Sequence, residues 1–210
     1  MNVAERGIAV YLGEKRLRFL QGLTVGIAGC GGLGSNCAMH LVRSGFRRFV
    51  LVDLDHVDPS NLNRQAFTMG QVSMRKVGAL AENLVAVNPD CELVLHDVAA
   101  TSENMADIFA DCHAVVEAFD RPEAKAVLVE SLVPTGKLVV AASGLGGVGN
   151  SDALVTRKVR ENFYLIGDEK TECGGTTPPM SPRVGVAAAK QADVVLDHFL
   201  KQYLYREGVM

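Results

Sequence analysis

Tryptophan is absent from this 210-residue sequence, and aromatic residues of all kinds make up only 6% of it. A surface that stacks nucleic-acid bases needs such rings, so none is expected. Basic excess is missing too: 21 Lys and Arg stand against 24 Asp and Glu, a formal net charge of −3. A nucleic-acid partner is therefore not expected. No apolar run approaches a membrane span. The opening Met1-Asn2-Val3-Ala4-Glu5-Arg6-Gly7 lacks the basic-then-apolar order of a secretory leader. A cytoplasmic protein with no membrane partner is the expectation. The 5 cysteines (Cys30, Cys37, Cys91, Cys112 and Cys173) form no Cys-x-x-Cys pair. An odd number at irregular spacing excludes a disulfide framework and a four-cysteine zinc site from the expected features.

What remains is ordinary for a globular chain, with 48% hydrophobic and 21% charged residues. The length points to one domain, 1–210. Residues 3–21 read as a helix anchored by Val10, Leu17 and Leu20, ended by Gly22. Short apolar runs then alternate with helical periodicity. Strands are expected at 25–29, 48–52, 92–96, 114–118 and 137–142, and helices at 35–44, from Met74 to Val87, and over 122–133. Ser102 is expected to cap a short helix running to about Ala110. This order predicts an α/β fold of Rossmann-like, doubly wound type: a mainly parallel sheet with helices on both faces. Two further strands, at 153–157 and 162–166, form a C-terminal antiparallel extension. Residues 168–182 read as a loop and 184–203 as a final helix.

Gly29-Cys30-Gly31-Gly32-Leu33-Gly34 is a glycine turn between a strand and a helix, the setting in which backbone N–H groups face a phosphate. Asp53 ends the second strand, where a ribose-binding carboxylate is expected, and Asp55 reads as a loop acid or a helix cap. Ser60-Asn61-Leu62-Asn63-Arg64-Gln65 follows. A dinucleotide enzyme has no general need for that arginine, but an enzyme holding a triphosphate does. Arg64 and Lys76 are the candidate triphosphate ligands, the first as a two-oxygen fork and the second as a point charge. Considered alone, Lys76 reads as a solvated charge on a helix's first turn, and Arg75 as surface. Asp120 ends a strand and could hold magnesium, which takes one or two carboxylates besides phosphates and water, or cap the next helix. Glu117 falls within a strand and receives no role. Cys173, in a glycine- and proline-rich loop, is a candidate nucleophile or sulfur acceptor, or an exposed bystander. The other cysteines read as small core hydrophobes and the 5 histidines as surface or satisfied core residues. Gly34, Asp53 and Asp120 should converge on one crevice beyond the carboxyl ends of the strands.

Together these residues resemble the ThiF/MoeB/HesA adenylyltransferases of the ubiquitin-activating-enzyme superfamily. The likeness runs through the glycine turn, Asp53-x-Asp55-x-Val57, Ser60 to Gln65, Lys76, Asn88-Pro89 and Asp120, over residues 24–143. Cys173 and Pro182-Arg183-Val184-Gly185 are similar to the crossover loop before the family's last core helix. The resemblance implies one ATP-binding adenylyltransferase domain: an N-terminal helical arm (1–22), a nucleotide-binding core (23–143), crossover and glycine-rich loops (144–182) and a C-terminal helix (183–205). It implies ATP and magnesium, no zinc, and AMP transfer to the C-terminal glycine of a small ubiquitin-like sulfur carrier. On this basis Gly29, Gly31, Gly32, Gly34, Asp53, Asn61, Arg64 and Lys76 would bind ATP, and Asp120 the metal. Cys173 would bond to the sulfur-loaded carrier. The short length and Ala141-Ala142-Ser143-Gly144-Leu145-Gly146 resemble the thiamine-type members most. A homodimer is also implied, with Arg6, Arg16 or Arg18 as the arginine crossing into the partner's ATP site. An NAD(P)-dependent oxidoreductase would share the glycine turn and Asp53, but would leave Arg64 and Asp120 idle. A non-catalytic scaffold, and an activator of a carboxylate on tRNA or a peptide, are the other readings.

Overall fold

The computed structural model describes residues 1–209. Two short helices open the chain, α1 (Val3–Leu12) and α2 (Glu14–Gln21). The single helix expected over 3–21 is broken because Gly13 adopts φ +83°, a conformation that leaves the helical path. Asn2 caps α1 in a reciprocal box with Glu5. Leu17 and Leu20 are buried as expected, whereas Val10 lies on the outer face of α1 and is 80% exposed.

The core then alternates: β1 (Thr24–Ala28), α3 (Gly32–Arg43), β2 (Arg48–Val52), α4 (Lys76–Val87), β3 (Glu92–His96), α5 (Met105–Ile108), β4 (Ala114–Glu117), α6 (Pro122–Leu132) and β5 (Leu138–Ala142). Ser102 caps nothing. Asn104 takes the turn before α5, its side chain accepting from Thr101 N at 2.8 Å. An antiparallel pair follows, β6 (Val155–Arg160) and β7 (Phe163–Gly167), and the chain closes on α7 (Ser181–Arg206), longer at both ends than the periodicity implied.

The seven strands are ordered β3-β2-β1-β4-β5-β7-β6, with only β6 antiparallel to its neighbour. Strand alternation sorts the core into two layers. Val25, Ile27, Leu51, Val116 and Val140 pack with Leu33, Leu41, Leu80, Leu84 and Val195 of α3, α4 and α7. Ala28, Val50, Val52, Val115 and Val139 pack with Met105, Phe109, Leu128 and Leu132 of α5 and α6. Every buried aliphatic here contributes about 1.5–3 kcal/mol against exposure. At Gly26 the second layer leaves no room: a Cβ would lie 2.6 Å from Phe109.

From β1 the chain steps outward to β2 and β3, then returns to lay β4 on the other side of β1. The crevice between the carboxyl ends of β1 and β4 is therefore the topological switch point, where ligands of such sheets bind. Among the described residues, no helix is long and apolar enough to cross a membrane.

Candidate functional site

The turn after β1 is shaped by main-chain contacts. Gly29 sits at φ +99°, donates its N–H to Val52 O at 2.9 Å, and would drive a Cβ to 2.8 Å from Ala118 O. Gly34, in the first turn of α3, passes so close that a Cβ would lie 1.8 Å from Gly29 O. Its glycine is needed for helix-on-turn packing. Gly32 would push a Cβ to 2.9 Å from Val184 and 3.4 Å from Arg64, whereas at Gly31 the nearest protein atom would be 3.8 Å away. α3 opens with no side-chain cap and no acidic residue in its first turn. Its free N–H groups and positive dipole end suit an anion.

Asp53 serves this turn directly. Its Oδ2 accepts from Cys30 N at 2.7 Å and its Oδ1 from Asp55 N at 2.8 Å. Each oxygen keeps a further lone pair for a sugar hydroxyl. Burial raises the Asp53 pKa, against the opposing pull of the Lys76 charge. Lys76, which taken alone would read as a solvated charge, is buried, and Asp55 is its counter-ion at 2.8 Å. Asp55 is thus more than a loop acid.

The loop between β2 and α4 carries Arg64 over the open end of α3. A short 3-10 turn, Pro59–Asn61, starts it. Asn61 Oδ1 accepts from Asp58 N at 3.1 Å, and the Asn61 carbonyl accepts from Arg64 N and Gln65 N at 3.1 and 2.9 Å. Its visible work is to fold the loop. The Arg64 stem lies against Gly32, and its Nη1 donates to Ser60 O and Asn63 Oδ1 at 3.2 and 2.8 Å. Two residues given no role from sequence hold this loop. Asn36 Nδ2 donates to Arg64 O at 2.8 Å, and Ser35 Oγ accepts from Ala66 N at 3.0 Å. Their place one turn into α3, facing a polar loop, was the available signal.

On the other side of the switch point, Asp120 is exposed in the turn after β4. It does not cap α6, whose N-cap is Arg121. A cavity of about 410 Å³ opens beside it, lined by Ala100, Thr101, Arg121, Glu123, Ala124 and Val127. A larger groove of about 590 Å³ lies at the amino-terminal ends of the strands, with His113, Lys137 and Arg206 in its wall. None of the candidate ATP, metal or sulfur-acceptor residues lines it, though Arg18, a candidate for the arginine crossing between subunits, does. Among the described residues no three His, Cys, Asp or Glu side chains are grouped to hold a metal. One free carboxylate fits an ion carried mainly by phosphates and water.

Cys173 is exposed in the loop before α7. Desolvation raises its pKa, with Arg64, Lys125 and Arg183 pulling the other way. The loop is tied down by Asn63 Nδ2, donating to Pro179 O at 3.2 Å, and by Arg183. Arg183 is buried and donates to Gly149 O, Asn150 O and Asp168 Oδ2 at 2.8, 3.0 and 2.8 Å. Burial pushes the Asp168 carboxyl up, but hydrogen bonds from Thr171, Lys170 and Arg183 outweigh it and hold its pKa well below the usual range. Stability from this carboxyl is complete above about pH 4 and is lost as pH falls below that. Removing one partner of a buried pair strands the other, so Arg183→Met is expected to destabilise by about 3 kcal/mol. Chemical denaturation checks this; an unchanged midpoint would contradict it.

The ThiF family matches residues 5–201. The chain is 33% identical over 191 residues to the "Adenylyltransferase and sulfurtransferase UBA4" of Candida glabrata, covering 90% of this chain and 41% of that protein. It is 31% identical over 143 residues to the tRNA threonylcarbamoyladenosine dehydratase of Escherichia coli, covering 67% and 53%. The chain thus spans about half, or less, of these relatives. Among solved structures, the E. coli tRNA N6-threonylcarbamoyladenosine dehydratase in complex with ATP superposes with a TM-score of 0.83, at 21% identity, covering 98% of this chain and 95% of that one. E. coli MccB with ATP gives 0.69 at 20% identity, covering 89% and 59%. These likenesses establish the fold.

Proposed function

Because this chain belongs to the ThiF family, we propose that it transfers AMP from ATP to a carboxylate. The substrate we assign is the C-terminal glycine of a small ubiquitin-like sulfur-carrier protein. One observation carries the reading: Arg64 lies over the uncapped amino end of α3, with Asp53 and Asp120 on either side of the switch point. A nucleotide laid across this crevice puts its ribose at Asp53 and its phosphates at the α3 N–H groups. Gly29 and Gly34 keep the turn in shape, and Gly31 and Gly32 leave its backbone open to the phosphates.

The reaction needs little from the protein as a base, since a carboxylate is already a nucleophile. One of its oxygens attacks the α-phosphorus, the bond to the bridging oxygen breaks, and pyrophosphate leaves with that electron pair. Catalysis is then positioning and charge neutralisation. Arg64 neutralises charge on the triphosphate, and Asn61 supports the loop that holds it. Lys76 reaches the phosphates by exchanging Asp55 for a phosphate oxygen. Asp120 would hold magnesium, which neutralises phosphate charge when bound. A Cys173 persulfide, its outer sulfur supplied by a sulfane-sulfur donor, would attack the adenylated carboxyl and displace AMP, leaving Cys173 bonded to the sulfur-loaded carrier. Full sulfur transfer by Cys173→Ala would remove that role.

The thiamine-type carrier is the first candidate, on sequence likeness to the short members of the family. A second reading is supported by the structural match to the tRNA-modifying enzyme: a threonylcarbamoyl group also ends in a carboxylate. ATP–pyrophosphate exchange decides between them. Purified protein with magnesium is offered a panel of carriers ending in Gly-Gly, and threonylcarbamoyl-modified tRNA. Exchange is expected with one carrier and lost in Asp120→Ala. Exchange with tRNA alone would move the substrate, and none with any would sink the adenylation reading. Light scattering tests the proposed homodimer.

A further inference from the structure

β4 ends on Glu117, whose side chain is wholly buried. Lys125, in the first turns of α6, donates to both carboxylate oxygens at 3.1 and 2.9 Å, and Phe119 N donates to Oε1 at 2.8 Å. The same ammonium donates to Ala142 O, at the end of β5, at 3.1 Å. An ammonium has three donors, so Lys125 is fully engaged and is no free cation for a substrate. From α7, Gln191 Nε2 donates to the carbonyls of Glu117 and Val140 at 2.9 and 3.1 Å. The β4–β5 ladder runs only from Ala114↔Leu138 to Val116↔Val140. Beyond it the strands separate, and Lys125 spans the gap. The turn closed by this clamp is the one that carries Asp120.

We propose that Glu117 and Lys125 are positioning residues, which fix the turn 118–121 across the parted ends of β4 and β5 so that Asp120 meets the metal on the triphosphate. This rests on the adenylation reading given above. Stability alone does not account for the pair, because exchanging a buried ion pair for apolar side chains is often neutral. Burial also works against the Glu117 carboxylate, raising its pKa, and Lys125 is the leading opposing influence.

The test uses the full chain with Lys125→Met, and the double variant Glu117→Gln/Lys125→Met, which strands no charge if the single variant fails to fold. Two measurements are made. Binding of a fluorescent ATP analogue is titrated with and without magnesium. Amide hydrogen exchange is followed at 118–121. The expected result is faster exchange confined to that turn, unchanged metal-free binding, and a loss of magnesium affinity of about tenfold or more, as for partners that orient a metal ligand. Folded variants that keep the wild-type magnesium dependence would overturn the positioning role. A wild-type protein whose ATP binding shows no response to magnesium would instead overturn the reading on which it rests.

Discussion

Arg64→Ala is expected to slow ATP–pyrophosphate exchange by about ten- to a hundredfold, the equivalent of one charge-assisted contact of about 1.5–3 kcal/mol. The guanidinium has no carboxylate partner competing for it among its hydrogen bonds, which go to Ser60 O and Asn63 Oδ1. It is therefore held in place yet keeps its charge available. Lys76 differs, since it must first leave Asp55. Arg64→Lys should recover only part of the loss, because an ammonium cannot bridge two phosphate oxygens. Thermal denaturation should show a small change for either variant. An Arg64→Ala protein with wild-type exchange would remove this residue from the phosphate site.

Gly34→Ala is expected to be the most damaging single methyl group in the turn. The added carbon would sit 1.8 Å from the carbonyl oxygen of Gly29, and both sides of that clash are main chain. Either α3 shifts or the turn opens. Overpacking of this kind costs about 1–3 kcal/mol or more, which for a chain of this size lowers Tm by several degrees at about 2–4 °C per kcal/mol. ATP binding should fall with it, because the same turn presents the α3 amides. Gly31→Ala is the informative contrast. Its Cβ would meet protein only at 3.8 Å. Stability should hold while nucleotide binding weakens. If both variants lose stability equally, phosphate approach is not what demands glycine at 31.

The strands, the order of elements and the convergence of Gly34, Asp53 and Asp120 were legible because each depends on short-range pattern. Buried parallel strands announce themselves as unbroken apolar runs closed by glycine or aspartate. The break at Gly13 was not legible, since a glycine inside a charged helical stretch is compatible with either outcome. The burial of Lys76 was not legible for a different reason. Its burial depends on Asp55, whose carboxylate lies 21 positions earlier in the chain. Glu117 was passed over because a charged residue in a strand has no sequence signature for the lysine that pairs with it. Asn36 and Ser35 likewise act across the fold, on a loop about thirty residues away. Pairings between distant side chains are what the linear pattern leaves out.

Arg183 also bears on the loop that carries Cys173. Its guanidinium joins the start of α7 to the loops after β5 and β7. The helix behind it packs along α3, the element whose first turn faces the crevice. The segment carrying Cys173 is therefore no loose flap fraying by itself. Its two ends, beside Asp168 and Arg183, are held together by the guanidinium on the carboxylate, so the loop is closed at its base. The start of the last helix thereby fixes where that loop begins and ends, much as a clasp holds a strap at its base rather than at its tip.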